Sequence, residues 1–403
     1  MARMQSNVIL LFAARSIRLF AYGALSVVLA LYLHETGLSS ADIGLLFTLT
    51  LAGDAGITLW ITTTADRFGR KKMLLLGAGL MVMAGIVFSL TGNILLLMIA
   101  GVIGVISPSG NEIGPFLSLE QAALSQLLSA EQRTRAFGWY NLAGSLAAAA
   151  GALAGGFLSQ TLINAGQSEF EAYRAVILGY AAGGIVLMTV FFFLSPEVET
   201  AATVPLQKRV LGLHKSKRVV LKLSALFALD AFAGGFVIQS MVAYWFHIRF
   251  GLDAGVLGSI FFGANILAGV SALLAVRIAN RIGLIRTMVY THIPSNVLLC
   301  LVPFMPNLGL AITVLLLRFS ISQMDVPTRQ SYTMAVVAPD ERSAASGVTT
   351  IARSIGAAAS PFLAGVFLAS PALLSAPFLV AGGLKIVYDL LLYRNFKKAD
   401  VRS

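Results

Sequence analysis

Apolar runs of about 20 residues recur along almost the whole chain, and a helix of that length spans a lipid bilayer. Of the 403 residues, 57% are hydrophobic and only 12% are charged, whereas an ordinary soluble protein has about 25% charged residues. The mean hydropathy of +0.84 excludes a water-soluble enzyme. The sequence therefore predicts an all-α integral membrane protein that crosses the bilayer many times.

Charged segments and breaks rich in Gly, Pro or Asn divide the chain into twelve predicted spans. These are 8–33, 41–62, 73–91, 94–129, 137–161, 173–195, 219–246, 255–276, 287–304, 310–337, 344–369 and 374–394. The longest connection is polar, contains Pro196, Pro205 and a basic run from Lys208 to Arg218, and falls between the sixth and seventh spans. We therefore predict an N-terminal six-helix bundle at 1–195, a cytoplasmic linker at 196–218 and a C-terminal six-helix bundle at 219–403.

The net charge of +11, from 29 Lys and Arg against 18 Asp and Glu, indicates topology rather than a nucleic-acid partner. Basic residues collect in the cytoplasmic loops of membrane proteins, and the basic loops here place both termini in the cytoplasm. The first apolar run has no small-residue cleavage site, so we expect a retained first helix. A short chain of this kind suits a cell membrane, specifically a bacterial inner membrane.

Residues that could carry covalent or metal chemistry are sparse. The single Cys300 and four dispersed histidines (His34, His214, His247 and His292) provide no metal-ligand spacing. No Gly-Lys-Ser/Thr phosphate loop is present, and no Ser/His/Asp cluster stands out. We therefore expect no cofactor, no metal and no enzymatic activity.

The two halves of the chain repeat one another. A shift of 214 positions superposes Gly37 on Gly251, Gly44 on Gly258 and the Arg67–Gly69 segment on Arg281–Gly283. Further along, a shift of 209 superposes Gln121 on Gln330, Arg133 on Arg342, Gly138 on Gly347 and Gly156 on Gly365. Matches in both loops and helices indicate that the second half of the chain is a duplicate of the first.

The loop T-A-D-R-F-G-R-K-K, Thr64 to Lys72, resembles the signature loop of the major facilitator superfamily. The resemblance covers nearly the whole chain. It implies two pseudo-symmetric six-helix bundles, alternating access to a small-molecule site within the lipid bilayer, and a functional monomer. The implied latch residues, which gate the conformational change, are Asp66, Arg67, Gly69 and Arg70, with Asp54 as a further gate residue.

The run Gly151-Ala-Leu-Ala-Gly155-Gly156 in span five resembles the G-P-x-x-G-G element of proton-coupled antiporters in this superfamily, with Ala152 in place of Pro. It makes Gly151, Gly155 and Gly156 gating candidates. The alternative is close helix packing by small residues.

Ionisable residues inside membrane spans are costly and are expected to face a pathway or a partner. Arg15 and Arg18 lie one helical turn apart near Tyr22, and the duplication makes Glu120 the counterpart of Arg329. The resemblance implies that these charges line a central cavity, with Trp139, Tyr140 and Asn141 as further candidates for its wall. The predicted substrate-binding residues are Arg15, Arg18, Tyr22, Glu120, Gln121, Asn265, Asp325, Arg329 and Gln330.

A carboxylate beside several arginines stays ionised, so a proton carrier needs burial or the release of its partner. Asp230, with no Arg in its own helix, is the preferred proton-coupling residue, and Glu120 is the second. The alternative for each charge is an internal salt bridge that only fixes helix packing. Lys385 and Asp389, four residues apart, are predicted to pair with each other, and His292 to be a satisfied residue beside the Pro294 kink. Arg318 and Arg353 are expected to cap helices or to snorkel towards a helix end.

The run S-P-S-G-N-E-I-G-P, Ser107 to Pro115, interrupts span four. Irregular backbone at membrane depth survives only where protein buries it or where it lines an aqueous cavity.

Two transport hypotheses follow. The first is proton-coupled export of a small organic compound, with protons as the coupling ion. The second is uptake or exchange of an anion, because Arg binds carboxylate or phosphate through paired donors. The two are compatible if the exported compound is an anion. From another class, a non-transporting membrane receptor or scaffold remains.

Overall fold

The computed structural model describes residues 2–110, 115–199, 215–338 and 341–397, and within these ranges the regular structure is helical. The first half contains α1 (Ala2–Glu35), α2 (Ser40–Phe68), α3 (Arg70–Leu90), α4 (Ile94–Ile103), α5 (Phe116–Leu127), α6 (Ala130–Asn164) and α7 (Glu169–Phe192). The second contains α8 (Lys217–Gly235), α9 (Gln239–Phe250), α10 (Ala254–Ile282), α11 (Leu284–Leu301), α12 (Leu308–Phe319), α13 (Asp325–Val336), α14 (Arg342–Ala359), α15 (Pro361–Leu368) and α16 (Ala376–Phe396).

Ten segments of the described residues are long and apolar enough to cross a membrane, and the shorter helices α4 and α12 are also apolar. The ten long segments match ten predicted spans, and α4 and α12 form the first parts of the predicted spans 94–129 and 310–337. The all-α membrane fold expected from the sequence is therefore confirmed.

The backbone preserves the predicted internal repeat. Gly69 separates α2 from α3 with a φ of 100°, and Gly283 separates α10 from α11 with a φ of 94°. Gly37 and Gly251 also have positive φ, 88° and 65°. Because a side chain is strained in this region, glycine recurs where each half makes the same turn.

The fourth span of each half is broken. In the first half, α4 ends at Ile103 and α5 begins at Phe116, as the run Ser107 to Pro115 predicts; residues 111–114 lie outside the described ranges. In the second half, α12 ends at Phe319 and α13 begins at Asp325, a break that was not predicted.

The chain forms two compact units. The first comprises Met1–Thr203 and Gln239–Phe262, and the second comprises Val204–Ile238 and Gly263–Ser403. In the first unit α1 packs against α6, α7 and α9. In the second unit α8 packs against α14 and α16, and α11 packs against α16 and α13.

Candidate functional site

A buried ion pair occupies the interior of the first unit. Both guanidinium NH groups of Arg18 on α1 donate to the Glu120 carboxylate on α5, at 2.7 and 2.8 Å, and neither side chain is exposed. The Tyr140 hydroxyl donates to the same carboxylate, and the Arg18 guanidinium lies 4.6 Å from the centre of the Phe116 ring. Two predicted substrate ligands are therefore direct partners of each other.

Arg15 lies one turn away on α1 and is 7% exposed. It donates to the Asn141 side-chain oxygen at 3.2 Å and lies 4.3 Å from the centre of the Tyr140 ring. Gly144 makes room for it, because a Cβ there would lie 2.6 Å from the Arg15 Nε. Tyr140 and Asn141, which the sequence gives as candidates for the cavity wall, thus hold the two arginines.

The carbonyls of the broken fourth span of the first unit accept hydrogen bonds from other helices. The Tyr180 hydroxyl donates to the Val105 carbonyl, and the Ser240 amide donates to the Pro108 carbonyl at 3.0 Å. The Gln239 amide and the Ser240 hydroxyl donate to the Ser26 hydroxyl and carbonyl, at 2.7 and 2.8 Å. Protein groups thus satisfy irregular backbone that lipid could not satisfy.

The glycines of span five make close backbone contacts. A Cβ on Gly151 would lie 1.9 Å from the Phe20 carbonyl oxygen of α1, and one on Gly156 would lie 2.4 Å from the Ala254 oxygen of α10. A Cβ on Gly155 would lie 2.8 Å from Ala24 of α1. Only glycine permits these approaches of α6, as the small-residue packing alternative expects.

The signature loop is attached to the end of α7 and the segment that follows it. The backbone amides of Arg70 and Lys71, at the start of α3, donate to the Glu199 carboxylate at 2.6 and 3.2 Å. The Lys71 ammonium donates to the Phe192 and Leu194 carbonyls at 2.6 and 2.8 Å. Glu199 therefore occupies the anion-binding end of α3. Arg67 is exposed, Asp54 is half-buried on α2, and the side chain of Asp66 lies outside the described part of the chain.

A larger charged network lies inside the second unit, centred on Asp230 of α8. Lys385 of α16 donates to its Oδ1 at 2.6 Å, and Arg329 of α13 and Arg353 of α14 each donate to its Oδ2 at 3.2 Å. Arg329 also donates to Asp325 at 2.8 Å. Asp230 thus has cations from three other helices, although its own helix has no Arg close to it.

His292 of α11 extends this network to a second acid. Its Nδ1 lies 2.9 Å from Asp389 Oδ1, and its Nε2 lies 4.0 Å from Asp230 Oδ1. The Asn296 amide donates to Asp389 Oδ2 at 3.2 Å. The network therefore includes side chains from α8, α11, α13, α14 and α16.

Two predictions about these residues were wrong. Lys385 pairs with Asp230 rather than with Asp389, and Arg353 binds Asp230 rather than only capping or snorkelling. The prediction that His292 is a satisfied residue beside Pro294 is confirmed, since its ring hydrogen-bonds to Asp389. The missed signal was a His, a Lys and an Asp in the ninth and twelfth predicted spans, because local spacing does not reveal a partner on another helix.

The other predicted ligands are dispersed. Tyr22 is buried and stacks on Tyr180, with ring centres 6.2 Å apart. Gln121 and Asn265 are half-buried, and Gln330 is exposed.

Sequence and structure comparisons identify the class of protein. A family profile described as Major Facilitator Superfamily matches residues 11–361. The uncharacterized membrane protein YJR124C of Saccharomyces cerevisiae is 30% identical over 98% of this chain and 94% of its own length. The multidrug efflux protein YfmO of Bacillus subtilis is 26% identical over 89% of this chain and 85% of its own length.

Among solved structures, a mutant form of the nucleoside transporter NupG superposes with a TM-score of 0.77 at 13% identity, covering 97% of this chain and 100% of that chain. The chain belongs to the Major Facilitator Superfamily. It is a multi-pass membrane transporter with the fold of that family, as the signature loop predicts.

Proposed function

We propose that this protein is a proton-coupled secondary transporter that exports a small organic compound by alternating access. The observation that carries the proposal is the buried network around Asp230, in which acids and bases from five helices are paired inside a membrane unit. The name of the Bacillus subtilis relative, a multidrug efflux protein, supports the export direction.

The network suits coupling because its charges are expensive to bury and depend on one another. Removing one partner of a buried ion pair costs about 3–5 kcal/mol, since the other charge stays buried without compensation. A helix movement that separates one pair therefore changes the free energy of protonating each neighbouring acid or base. Asp230 can take a proton only after at least one of its cations leaves, so we propose it as the centre of coupling, with Glu120 as a second candidate.

The substrate ligands named from the sequence remain proposals. Arg18 would have to leave Glu120 before it could bind a substrate, whereas Arg353 retains a side-chain exposure of 35% beside Asp230. This partly exposed guanidinium favours the second candidate function, uptake or exchange of an anion. A receptor or scaffold would have no use for a network that can exchange protons.

The division at residues 196–218, the cytoplasmic termini, the bacterial inner membrane and the monomeric state are also proposed from the sequence. We further propose that the signature loop and the span-five glycines act in gating. The contacts of Glu199 with α3 support a role for that loop in one conformation, since they must break if α3 moves away from the end of α7.

The test is proton movement by purified protein in sealed vesicles, with a pH-sensitive dye and a panel of anionic, neutral and cationic compounds. Export coupled to protons predicts a compound-dependent proton flux that Asp230→Asn abolishes while compound exchange persists. The matched control is Glu171→Gln, whose side chain is 51% exposed and lies outside the network. Proton flux that remains coupled in Asp230→Asn would remove Asp230 from this role. Compound movement without any proton flux would contradict proton coupling itself.

A further inference from the structure

We propose that the His292–Asp389 pair holds the coupled proton, and that release of this proton moves Lys385 from Asp230 to Asp389. The proposal rests on the proton-coupled transport proposed above: Asp230 remains the centre of the network, and the His292–Asp389 pair holds the proton whose release takes Lys385 away from Asp230.

Asp389 is completely buried on α16. Its partners in the described part of the chain are the His292 ring at 2.9 Å and the Asn296 amide at 3.2 Å, with no lysine or arginine within ion-pair distance. A buried carboxylate without a compensating charge is very unfavourable. The pair therefore needs one proton, on the ring or on the carboxyl group, to remain neutral.

The ring of His292 has an acid on both sides. Nδ1 contacts Asp389, and Nε2 points to Asp230 at 4.0 Å, beyond hydrogen-bond distance. A protonated ring can donate from both nitrogens, whereas a neutral ring donates from only one. Histidine is also the side chain that most readily changes charge near neutral pH.

His292 contacts Asp389 and Tyr388 of α16 and faces Asp230 of α8. Asp230 in turn carries Arg329 of α13, Arg353 of α14 and Lys385 of α16, and Arg329 also pairs with Asp325. Helices α12, α13 and α16 pack on α11; their other titratable or charged groups include Arg318 on α12 and Tyr332 on α13. Asp230 and Asp325 share three cations, Arg329, Arg353 and Lys385, whereas within the described residues Asp389 has His292 and no lysine or arginine at ion-pair distance.

Lys385 has two acids within reach. It binds Asp230 at 2.6 Å, and Asp389 lies four residues further along the same helix, on the same face. Its ammonium group is carried on a flexible four-carbon stem. While the His292–Asp389 pair is protonated it is neutral, and Lys385 binds the negatively charged Asp230. Once the proton leaves for water, the pair carries one negative charge and attracts Lys385.

This exchange changes a connection between helices. The Lys385–Asp230 ion pair joins α16 to α8, whereas a Lys385–Asp389 pair lies within α16 alone. After the exchange, Asp230 keeps only two of its three cations, Arg329 of α13 and Arg353 of α14. Loss of one proton is thereby converted into loss of one contact between α8 and α16.

The first experiment follows the proton without any substrate. Purified full-length protein with ¹⁵N-labelled histidine is titrated from about pH 5 to 8 by NMR, and the signal that His292→Gln removes is assigned to His292. His247→Gln, a half-buried histidine outside the network, is the matched control. We expect the His292 signal to titrate in the wild type and to lose this titration in Asp389→Asn. A ring that keeps one form throughout, or that titrates identically without the Asp389 charge, would overturn the proposal.

The second experiment follows the helices. Spin labels at Leu221→Cys on α8 and Leu390→Cys on α16, both exposed positions, report the distance between them in a Cys300→Ala background. We expect this distance to shift with pH, and Lys385→Gln to abolish the shift while the His292 signal still titrates. Lys385→Arg, which keeps the charge, should restore it. A shift that persists in Lys385→Gln would overturn the switch.

The vesicle assay separates this proposal from the proposed function. Compound-driven proton flux that survives in His292→Gln would leave proton-coupled transport intact and refute the His292–Asp389 site. A titrating pair in a protein that moves compounds without protons would refute the coupling instead.

Discussion

The Arg18–Glu120 ion pair gives a quantitative prediction about the first unit. Both side chains are fully buried, the contact uses both guanidinium NH groups, and Tyr140 occupies a further position on the carboxylate. Breaking such a pair from one side costs about 3–5 kcal/mol, because the remaining charge stays buried. We therefore expect Arg18→Met and Glu120→Gln each to lower the free energy of unfolding by about that amount.

The double variant shows whether the two residues stabilise the protein through their mutual contact or through separate contributions to the free energy of unfolding. With both charges gone, no uncompensated charge remains, so we expect the double variant to cost about 2–3 kcal/mol less than the sum of the single variants. Arg18→Met also loses the contact with the Phe116 ring, worth about 1 kcal/mol, in both the single and the double variant. That contribution therefore cancels from the coupling energy.

The assay is equilibrium unfolding of the purified protein in mixed micelles, followed by tryptophan fluorescence. The matched control is the exposed pair Arg174 and Glu171 on α7, whose side chains are 31% and 51% exposed. Exposed pairs contribute about 0–1 kcal/mol, so the same cycle there should give a coupling energy near zero. Additive losses at Arg18 and Glu120, or a coupling no larger than at the exposed pair, would refute the claim that burial makes this contact strong.

Two further changes, with Gly179→Ala as a comparison variant, test the contacts around the proposed gate. Glu199→Gln removes the charge at the start of α3 and should cost about 1 kcal/mol, seen as faster amide exchange at Arg70 and Lys71; unchanged exchange would contradict the capping role. Gly156→Ala places a Cβ 2.4 Å from a backbone oxygen of α10 and should lower the free energy of unfolding by about 1–3 kcal/mol. Gly179→Ala, where a Cβ meets nothing within 4 Å, should instead raise it by about 0.5–1 kcal/mol, and equal effects of the two changes would contradict the close contact.

The helices could be predicted because their signal is local. Runs of apolar residues, ended by charge or by glycine, define the spans, and the break at Ser107 to Pro115 follows from residues that cannot continue a helix. The second break was missed because residues 320–324 contain neither Pro nor Gly. There the Ser320 and Ser322 hydroxyls donate to the Leu317 and Phe319 carbonyls, and the Gln323 amide donates to Ser271 instead of the helix. Serine hydroxyls that compete for backbone carbonyls in this way are a weak sequence signal for the end of a helix. They end the helix only where a suitable hydrogen-bond partner lies beside it.

The pairing of the charges could not be predicted because it depends on contacts distant in sequence. Arg18 and Glu120 are 102 residues apart, and Lys385 is 155 residues from Asp230. The i, i+4 spacing correctly gives Asp389 as a neighbour of Lys385 along the helix. This spacing cannot show whether Lys385 pairs with that neighbour or with an acid on another helix. The partners on other helices decide the ranking, since Lys385 reaches Asp230 on α8 and Asp389 already has His292 of α11.

The two units therefore differ in what a proton can do. In the first unit, both carboxylate oxygens of Glu120 accept hydrogen bonds from Arg18, and Tyr140 donates a further one. Protonation of Glu120 would therefore break an ion pair whose hydrogen bonds are all made. In the second unit, Lys385 has two acids in reach, Asp230 and Asp389, and Asp389 is paired with a histidine. A group with two alternative partners can switch at a small cost, whereas a saturated pair can only break. This difference is the physical reason to look for the coupled proton in the second unit, and to expect Glu120→Gln to reduce stability more than coupling.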